Sequence, residues 1–326
     1  LLTDREVRSL LTMKEAIRIA EDAFKEKGED KVQMPSKTYV NFSRYNGDLR
    51  VMPAYLEQSD VAGVKVVNVH PHNPKMLGIP SIMATIVLID PKTGFPVSIM
   101  DGTWITALRT GAVGGVAAKY MSRADSKTAA IIGAGVQSRT QLAALMETRE
   151  IARVKVMDIS PEAQQRFIKE MSESFSVEIL ATSSVEEAVE DADIIVTVTP
   201  ASKPILMNYC VDQGVHINAF GADAPGKQEL DPMIFRRAKV VVDDLDQASH
   251  GGEIQHALAN RIIETKDIYG DLGEIVAGAK AGRVSEEEIT VFDSTGLAIH
   301  DVAVAWRIYE VAYERGIGQR TRLVLG

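Results

Sequence analysis

Two glycines and an acid share the spacing of a dinucleotide-binding site. A short apolar run at 129–132 leads directly into the sequence GAGVQS at 133–138, and Asp158 follows the end of that loop by 20 residues. Gly133 permits a turn that few side chains allow, and Gly135 lets the backbone approach a pyrophosphate at the N-terminus of a helix. An acid at this spacing accepts hydrogen bonds from both ribose hydroxyls and repels a 2′-phosphate. The pattern therefore predicts a site for NAD rather than NADP.

The match to the dinucleotide pattern G-x-G-x-x-G is partial. Ser138 occupies the place of the third glycine, although serine is small enough to keep the helix close to the sheet. Val154, Val156 and Met157 form a short apolar strand that ends on Asp158. The alternative is that Asp158 only caps the turn after this strand, but the glycines in register favour the cofactor site.

Polar residues follow three later apolar segments at places that ordinary loops do not explain. They are Thr199, the run GADAPGK at 221–227 and the run DSTG at 293–296. In a doubly wound sheet the ligand lies outside the carboxyl ends of the strands, so these segments are expected around one crevice. Asp223 is either an acid–base residue beside a nicotinamide or a turn aspartate that bonds to its own backbone.

Three cations precede the glycine loop. Arg50 and Lys65 lie on predicted strands, and Arg109 lies in a predicted helix that is rich in small residues. Together they could hold a substrate carboxylate and a cofactor phosphate, although each alone is more often a solvated charge. His70 and His72 lack a third ligand at a fitting spacing, so no metal is predicted. The remaining histidines are expected to make structural hydrogen bonds: His216, His250, His256 and His300.

The elements that must position these residues form two groups. In the first, a helix that begins with a capping box at Thr12 is followed by short apolar runs at 49–52, 61–69, 82–89 and 97–100. Strands at this spacing without helices between them predict an antiparallel sheet, with a hairpin around the turn at 90–94. Residues 103–120 are predicted to form the small-residue helix.

Strands and helices alternate from residue 128 onward, which indicates a parallel sheet covered on both faces. The predicted fold class is α/β, with a Rossmann-type doubly wound parallel sheet and a smaller α+β domain. The predicted boundaries place residues 1–121 in the smaller domain and residues 122–301 in the Rossmann domain. The segment 302–326 is predicted to return to the smaller domain as a long helix.

Composition excludes several classes of function. The chain has 326 residues, 45% hydrophobic and 25% charged, which suits two globular domains. The net charge of −9 argues against nucleic acid or an anionic membrane as partner. Small metabolites remain as the expected partners. No apolar run has the length of a membrane span, and no signal-peptide pattern opens the sequence. The one cysteine, Cys210, agrees with a reducing compartment, so a cytoplasmic protein is predicted.

Motifs along almost the whole chain resemble the family of ornithine cyclodeaminase, μ-crystallin and archaeal alanine dehydrogenase. They are RVMP at 50–53, KVVN at 65–68 with HP at 70–71, LRTGA at 108–112, GAGVQ at 133–137, HINA at 216–219, GAD at 221–223 with PGK at 225–227, and VFDS at 291–294. The similarity to archaeal alanine dehydrogenase is most marked in GKQELD at 226–231 and HGGEI at 250–254.

The resemblance implies a role for each residue that matches a family motif. Asp223 is expected to accept and donate the proton and to act with Lys65 as a catalytic residue. Arg50 and Lys65 are expected to bind the substrate carboxylate, with Thr295 beside the substrate. The expected cofactor contacts are Ser81, Arg109, Gly133, Gly135, Val136, Gln137, Asp158, Thr199, Phe220, Gly221, Ala222, Asp223, Lys227 and Ser294. Ser81 occupies a position where relatives often carry threonine, and serine provides a hydroxyl group as threonine does. The family also implies a homodimer built by sheet pairing between first domains, which are then the substrate and dimerisation domains.

The expected function is NAD-dependent oxidative deamination of a small L-amino acid such as alanine, by reversible hydride transfer at the α-carbon. One alternative is ornithine cyclodeamination, in which a side-chain amine attacks the iminium so that L-proline and ammonia are released. The other is a ketimine reductase or cofactor-dependent binding protein like μ-crystallin. Asp158 weakens that alternative, since μ-crystallin-like proteins favour NADP. In each case the partner is a small amino acid or oxo acid.

Overall fold

The computed structural model describes residues 1–321. Their contacts divide the chain into two compact units, of which the first is Leu1–Arg109 with the segment from Leu297 onward, and the second is Thr110–Gly296. The boundaries predicted from the sequence, after residues 121 and 301, stay predictions. Residues 322–326 of the predicted returning segment lie outside the described residues.

The helices of residues 1–321 range from one turn to five. In chain order they are α1 (Asp4–Arg8), α2 (Met13–Gly28), α3 (Asn73–Leu77), α4 (Thr103–Met121), α5 (Val136–Thr148), α6 (Pro161–Ser174), α7 (Val185–Val189), α8 (Leu245–Gly251), α9 (Ile254–Ala259), α10 (Leu272–Val276) and α11 (Ala298–Arg315). Among these described residues, no helix combines the length and the apolar composition that crossing a bilayer requires.

The strands of residues 1–321 are mostly of four to ten residues. In chain order they are β1 (Val32–Gln33), β2 (Thr38–Phe42), β3 (Gly47–Leu56), β4 (Val61–Val69), β5 (Ile82–Ile89), β6 (Pro96–Asp101), β7 (Thr128–Ile132), β8 (Arg153–Met157), β9 (Glu178–Ala181), β10 (Ile194–Thr197), β11 (Ser202–Leu206), β12 (His216–Ala219), β13 (Gln228–Leu230), β14 (Ala238–Val242), β15 (Gly270–Asp271) and β16 (Ile289–Asp293).

The first unit is built on an antiparallel sheet. Its strand order is β1-β3-β4-β5-β6, with β2 also paired to β3. Every second residue of β3 from Arg50 onward is buried, helix α11 packs on β3, β4 and β5, and α2 packs on α11. The predicted hairpin is confirmed, because β5 pairs with β6 and the backbone N–H of Asp90 donates to the oxygen of Phe95 at 2.8 Å.

The second unit is built on a parallel sheet with the order β15-β14-β16-β12-β10-β7-β8-β9. The chain starts at β7, adds β8 and β9 on one side, and then crosses to add the remaining strands on the other. Strands β10, β12 and β16 are buried along their whole length, as a sheet covered on both faces requires. This confirms the predicted α/β fold class, and it puts the switch point of the sheet between β7 and β10.

The sequence does not predict the small parallel sheet of β11 and β13 in the second unit. Strand β11 is half-exposed and contains Pro204, and β13 is only three residues long. Neither carries the alternation or the apolar run that marks a strand. This pairing joins the loop after β10 to the loop after β12.

Candidate cofactor and substrate sites

The loop between β7 and α5 has a backbone that only glycine adopts easily. Gly133 has a φ of 104°, and a Cβ there would lie 2.9 Å from the backbone oxygen of Val198 and 3.0 Å from Cγ2 of Thr199. Its backbone N–H donates to the oxygen of Met157 at 2.8 Å. The close approach of the loop after β10 therefore makes glycine a requirement of the fold itself at this position.

Gly135 is glycine for a different reason, because a Cβ at this position would meet no atom within 4 Å. It is the N-cap residue of α5, and no side chain caps the helix there. Open space in front of uncapped N–H groups at a helix N-terminus suits a bound phosphate. The next residue, Val136, is also largely exposed. Ser138 is fully buried, and its hydroxyl donates to the oxygen of Gly135 at 2.6 Å, so the missing third glycine is accommodated.

Asp158 caps the turn after β8, as one of the two sequence interpretations expects, and its contact with a ribose stays a prediction. Its Oδ2 accepts from the backbone N–H of Ala134 at 2.6 Å, and its Oδ1 accepts from the N–H of Ser160 at 2.8 Å. The carboxylate therefore caps the following turn and also ties itself to the glycine loop. A carboxylate accepts about four hydrogen bonds, so capacity for two ribose hydroxyls remains. These features fit a dinucleotide with a free 2′-hydroxyl.

A buried carboxylate joins the loops after β10 and β12. Oε1 of Glu229 accepts from the backbone N–H of Thr199 at 2.6 Å, and Oε2 accepts from the N–H of Gly221 at 2.9 Å. Glu229 is fully buried, and a Cβ at position 221 would overlap its carboxylate. The predicted cofactor contacts Thr199 and Gly221 are therefore held together by a residue outside the predicted site. Phe220, on the same loop, packs edge to face on Phe292.

Asp223 lies on the loop that Gly221 begins. Its side chain is about one third exposed (32%) and forms an ion pair with Lys227, which is exposed to the same degree (31%). Both residues are thus reachable by a ligand. Gln137, at the start of α5, is likewise half-buried.

Asp243, at the end of β14, holds the loop after β16. Its Oδ2 accepts from the hydroxyl of Ser294 at 3.0 Å and from the N–H of Gly296 at 2.7 Å, and its Oδ1 accepts from the hydroxyl of Thr295 at 3.1 Å. The structure thus brings the predicted residues of the second unit to one edge, the carboxyl edge of the parallel sheet.

In the first unit, two predicted cations share one buried carboxylate. Nζ of Lys65 lies 2.7 Å from Oδ2 of Asp301, and Nε of Arg109 lies 3.0 Å from Oδ1. All three side chains are almost fully buried. Neither oxygen of Asp301 has a partner in hydrogen-bond geometry among the described residues, so these contacts are ion pairs by distance. Two cations and one acid leave an excess of positive charge, which suits an anion.

Burial lowers the pKa of Lys65 to about 7. The positive charge of Arg109 acts in the same direction, and Asp301 opposes both. Arg50 lies on the same face of the sheet as Lys65, because Met52 pairs with Lys65 and stands two residues from Arg50. Its guanidinium forms two hydrogen bonds to Asp48, both at 3.1 Å. Ser81, half-buried just before β5, accepts from the N–H of His70 through its backbone oxygen at 2.8 Å.

The histidines only partly follow the expectation of structural hydrogen bonds. His216 is confirmed, with partners Thr290 at 2.9 Å and Asn218 at 3.0 Å, and His250 bonds to a backbone oxygen at 2.7 Å. For His300 the prediction is wrong. Its ring is fully buried, and neither nitrogen has a hydrogen-bond partner among the described residues. Within residues 1–321, no three His, Cys, Asp or Glu side chains are grouped as metal ligands.

Sequence reasoning missed the acids that hold the site residues in place: Glu229, Asp243, Glu253 and Asp301. Glu229 and Glu253 lie in the family motifs at 226–231 and 250–254, which is the only sequence signal that marks them. Asp301 is three residues into α11, where an acid is ordinary at the start of a helix.

Comparisons with known proteins cover nearly the whole chain. The model of the ornithine cyclodeaminase/mu-crystallin family matches residues 1–316. Alanine dehydrogenase of Archaeoglobus fulgidus is 47% identical over 324 residues, which are 99% of this chain and 98% of that protein.

Two solved structures are similar in both sequence and fold. An archaeal alanine dehydrogenase dimer with bound NAD has a TM-score of 0.95 at 46% identity, with 99% of this chain and 98% of that chain covered. Delta(1)-pyrroline-2-carboxylate reductase of Thermococcus litoralis, in complex with NADH and L-proline, has a TM-score of 0.96 at 42% identity, with 98% and 99% covered.

Proposed function

Because this chain belongs to the ornithine cyclodeaminase/mu-crystallin family, we propose that it catalyses the NAD-dependent oxidative deamination of a small L-amino acid such as alanine. One observation carries the proposal. Asp223 is a partly exposed acid on a loop at the same sheet edge as the dinucleotide glycine loop of Gly133 and Gly135. The size of the substrate is proposed from the similarity to alanine dehydrogenase along the whole chain.

The cofactor is NAD, which solved relatives hold as NAD or NADH. The glycine loop and the N-terminus of α5 fit its pyrophosphate, and the spare acceptor capacity of Asp158 fits its ribose hydroxyls. When bound, NAD accepts the hydride that leaves the α-carbon of the amino acid.

The chain's own residues bind the substrate and move its protons. We propose that Arg50 and Lys65 bind the carboxylate of the amino acid, because paired cations on one sheet face suit a bidentate anion. Asp223 takes the ammonium proton, so that the neutral amine can assist departure of the hydride. Asp223 is partly exposed, so this proton can pass to solvent. The regenerated carboxylate then takes a proton from the water that attacks the iminium carbon, and ammonia leaves so that the oxo acid is formed.

A second candidate is reduction of a cyclic imino acid. The similarity to the pyrroline-carboxylate reductase of T. litoralis favours it, since the fold agrees as well as with alanine dehydrogenase. The same residues then act in the direction of reduction, with Asp223 donating the proton to the imine nitrogen. Cyclodeamination remains a third outcome, which releases ammonia without net NADH.

A substrate panel tests the proposal. The purified protein is mixed with NAD and each of a set of L-amino acids, including alanine, ornithine and proline, and both NADH absorbance and ammonia are recorded. The proposal expects both signals with a small amino acid. NADH without ammonia from proline indicates the reductase, and ammonia without NADH from ornithine indicates the cyclodeaminase. Absence of both signals with every small amino acid would contradict the proposed deamination.

We further propose that the protein acts as a homodimer, because the NAD-bound archaeal relative is a dimer.

A further inference from the structure

Glu229 occupies a position that no reaction step uses and that nevertheless controls two loops of the site. It is fully buried between the ends of β10 and β12. Each of its two oxygens accepts one backbone N–H, from Thr199 at 2.6 Å and from Gly221 at 2.9 Å. Thr199 and Gly221 are 22 positions apart in the chain, and the carboxylate fixes the distance between them.

Glu229 is itself held at its backbone. Its N–H donates to Oε1 of Glu253 at 2.8 Å, and the N–H of Leu230 donates to Oε2 of Glu253 at 3.0 Å. Within residues 1–321, no ion pair joins either carboxylate to a cation. Burial raises the pKa of Glu229, and the N–H donors of Thr199 and Gly221 oppose this effect by favouring the charged form. The charged form of this carboxyl group therefore depends on those donors.

The distance between the two loops matters for the proposed chemistry. Asp223 stands two residues after Gly221, whose N–H donates to Glu229, and the carboxylate lies so close to this backbone that a Cβ added at position 221 would overlap it. Loss of the carboxylate would release the start of this loop and the Thr199 backbone together. A displacement of about 1 Å at reacting groups costs about a hundredfold in rate.

We propose that Glu229 is a positioning residue, which sets the place of the proton-transferring Asp223 relative to the cofactor-binding Thr199 by bridging the two loops. The proposal rests on the proposed function of Asp223. Only glutamate meets both donors: glutamine offers one oxygen and turns an amide N–H₂ toward the second N–H, and aspartate is shorter by one methylene.

Asp193 offers a matched control at the opposite edge of the same sheet. Its Oδ2 accepts from the backbone N–H groups of Lys127 at 2.7 Å and Thr128 at 2.9 Å, at the start of β7. It also forms an ion pair with Arg123. Asp193→Asn therefore damages a comparable carboxylate bridge far from the carboxyl ends of the strands.

The experiment compares Glu229→Gln, Glu229→Asp and Asp193→Asn with the wild type. Three quantities are measured: the thermal midpoint, kcat and KM for L-alanine and NAD, and backbone hydrogen exchange of peptides that cover 198–202 and 220–227. Both Glu229 variants are expected to lower kcat about tenfold to a hundredfold and to speed exchange in both peptides. Asp193→Asn is expected to lower the thermal midpoint at least as much and to leave kcat within twofold.

Equal kcat values for the Glu229 variants and the wild type would overturn the proposal, and so would unchanged exchange in both peptides. If Glu229→Gln does not fold, Glu229→Asp provides the same comparison with the charge retained. If the wild type turns over no amino acid, the proposed function fails separately. The exchange data and the affinity for NADH, measured by its fluorescence, then still decide whether Glu229 bridges the loops.

Discussion

At the level of single residues, the acids of the second unit differ in their exposure to solvent. Asp223 is partly exposed and paired with Lys227, whereas Glu229, Glu253 and Asp293 are almost completely buried. A proton donor must meet its substrate, so only an acid of the first kind suits catalysis. The buried acids instead bind backbone N–H groups and hold loops in place.

The role of Asp223 is tested by Asp223→Asn. Because the amide cannot accept the ammonium proton, we expect turnover to fall by about 10²-fold to 10⁴-fold. The affinity for NAD should change little, since the glycine loop and Asp158 are untouched. The measurements are kcat with L-alanine and a fluorescence titration with NADH. The exposed Asp246 provides the control substitution Asp246→Asn, and wild-type turnover in Asp223→Asn would remove this residue from the mechanism.

Lys65 gives substrate binding a pH dependence. Its pKa is about 7 in the free protein, so the charged form that binds a carboxylate is lost as pH rises through 7. The charged groups that act on it are Arg109 and Lys37, which favour this loss, and Asp301, which opposes it. We expect the dissociation constant of pyruvate, measured with NADH present, to increase by up to about tenfold per pH unit above 7.

Asp301→Asn removes the charge that stabilises protonated Lys65. The dissociation constant of pyruvate should therefore begin to increase at lower pH in this variant. A dissociation constant that stays flat between pH 6 and 9 in the wild type would count against carboxylate binding by Lys65.

At the level of elements, the turn from β7 to α5 contains two glycines with different roles. The fold requires the first, and the proposed ligand requires the second. Gly133→Ala forces a side chain into a φ of 104° and against the loop after β10, so we expect a loss of about 1–3 kcal/mol in the free energy of unfolding. Gly135 has a φ of −81° and open space around it, so Gly135→Ala should leave that free energy within about 1 kcal/mol.

The affinity for NADH should fall by tenfold or more in Gly135→Ala, because the added methyl group stands where the pyrophosphate is proposed to lie. Urea denaturation and NADH fluorescence measure the two effects separately. Wild-type affinity in Gly135→Ala would show that this loop does not face the phosphates.

Elements with strong local patterns were predictable from the sequence. The strands β4, β5 and β7, the helix α2 and the glycine loop carry periodicity, capping or turn residues within a short window. The pairing of β11 with β13 carries none of these, since it depends on contact between strands that start 26 residues apart, at Ser202 and Gln228.

The same limit applies to the site. Asp223, Asp158 and the glycines are marked by motif and by spacing. The role of Glu229 depends on hydrogen bonds from N–H groups 30 and 8 residues away in the chain. The role of Asp301 depends on its ion pairs with Lys65 and Arg109. Propensity and spacing do not report such long-range partners, which the fold alone brings together.

At the level of the whole molecule, buried titrating groups tie stability to pH. Burial raises the pKa of Asp293 from 3.8 to about 7. Between these values the folded protein holds a proton that the unfolded chain has released, so the free energy of unfolding falls as pH rises through this window. The fall is complete above about pH 7. Its slope is at most about 1.4 kcal/mol per pH unit.

Asp293→Asn should remove this contribution, because the amide does not titrate and its oxygen can still accept from the N–H of Ile254. We therefore expect the variant to gain stability relative to the wild type between pH 5 and 7.5, as urea denaturation at both values would show. Lys65 and His216 titrate alike in both proteins, so they cancel in the difference. The charge of Asp293 also raises the pKa of Glu253, so its removal lowers that pKa and changes the difference in the same direction. An equal difference at the two pH values would refute this assignment.

Asp301 follows the whole second unit in the chain, and from this position we expect an order of assembly during synthesis. Lys65 and Arg109 leave the ribosome long before Asp301, and the whole second unit, Thr110–Gly296, is made between them. A nascent chain that ends at Gly296 has every strand of the parallel sheet but lacks α11, which packs on α2 and on β3 to β5. Two buried cations then have no carboxylate, which is a costly state. We expect such a chain to hold a protease-resistant second unit and a protease-sensitive first unit, so that the cation pair is completed last.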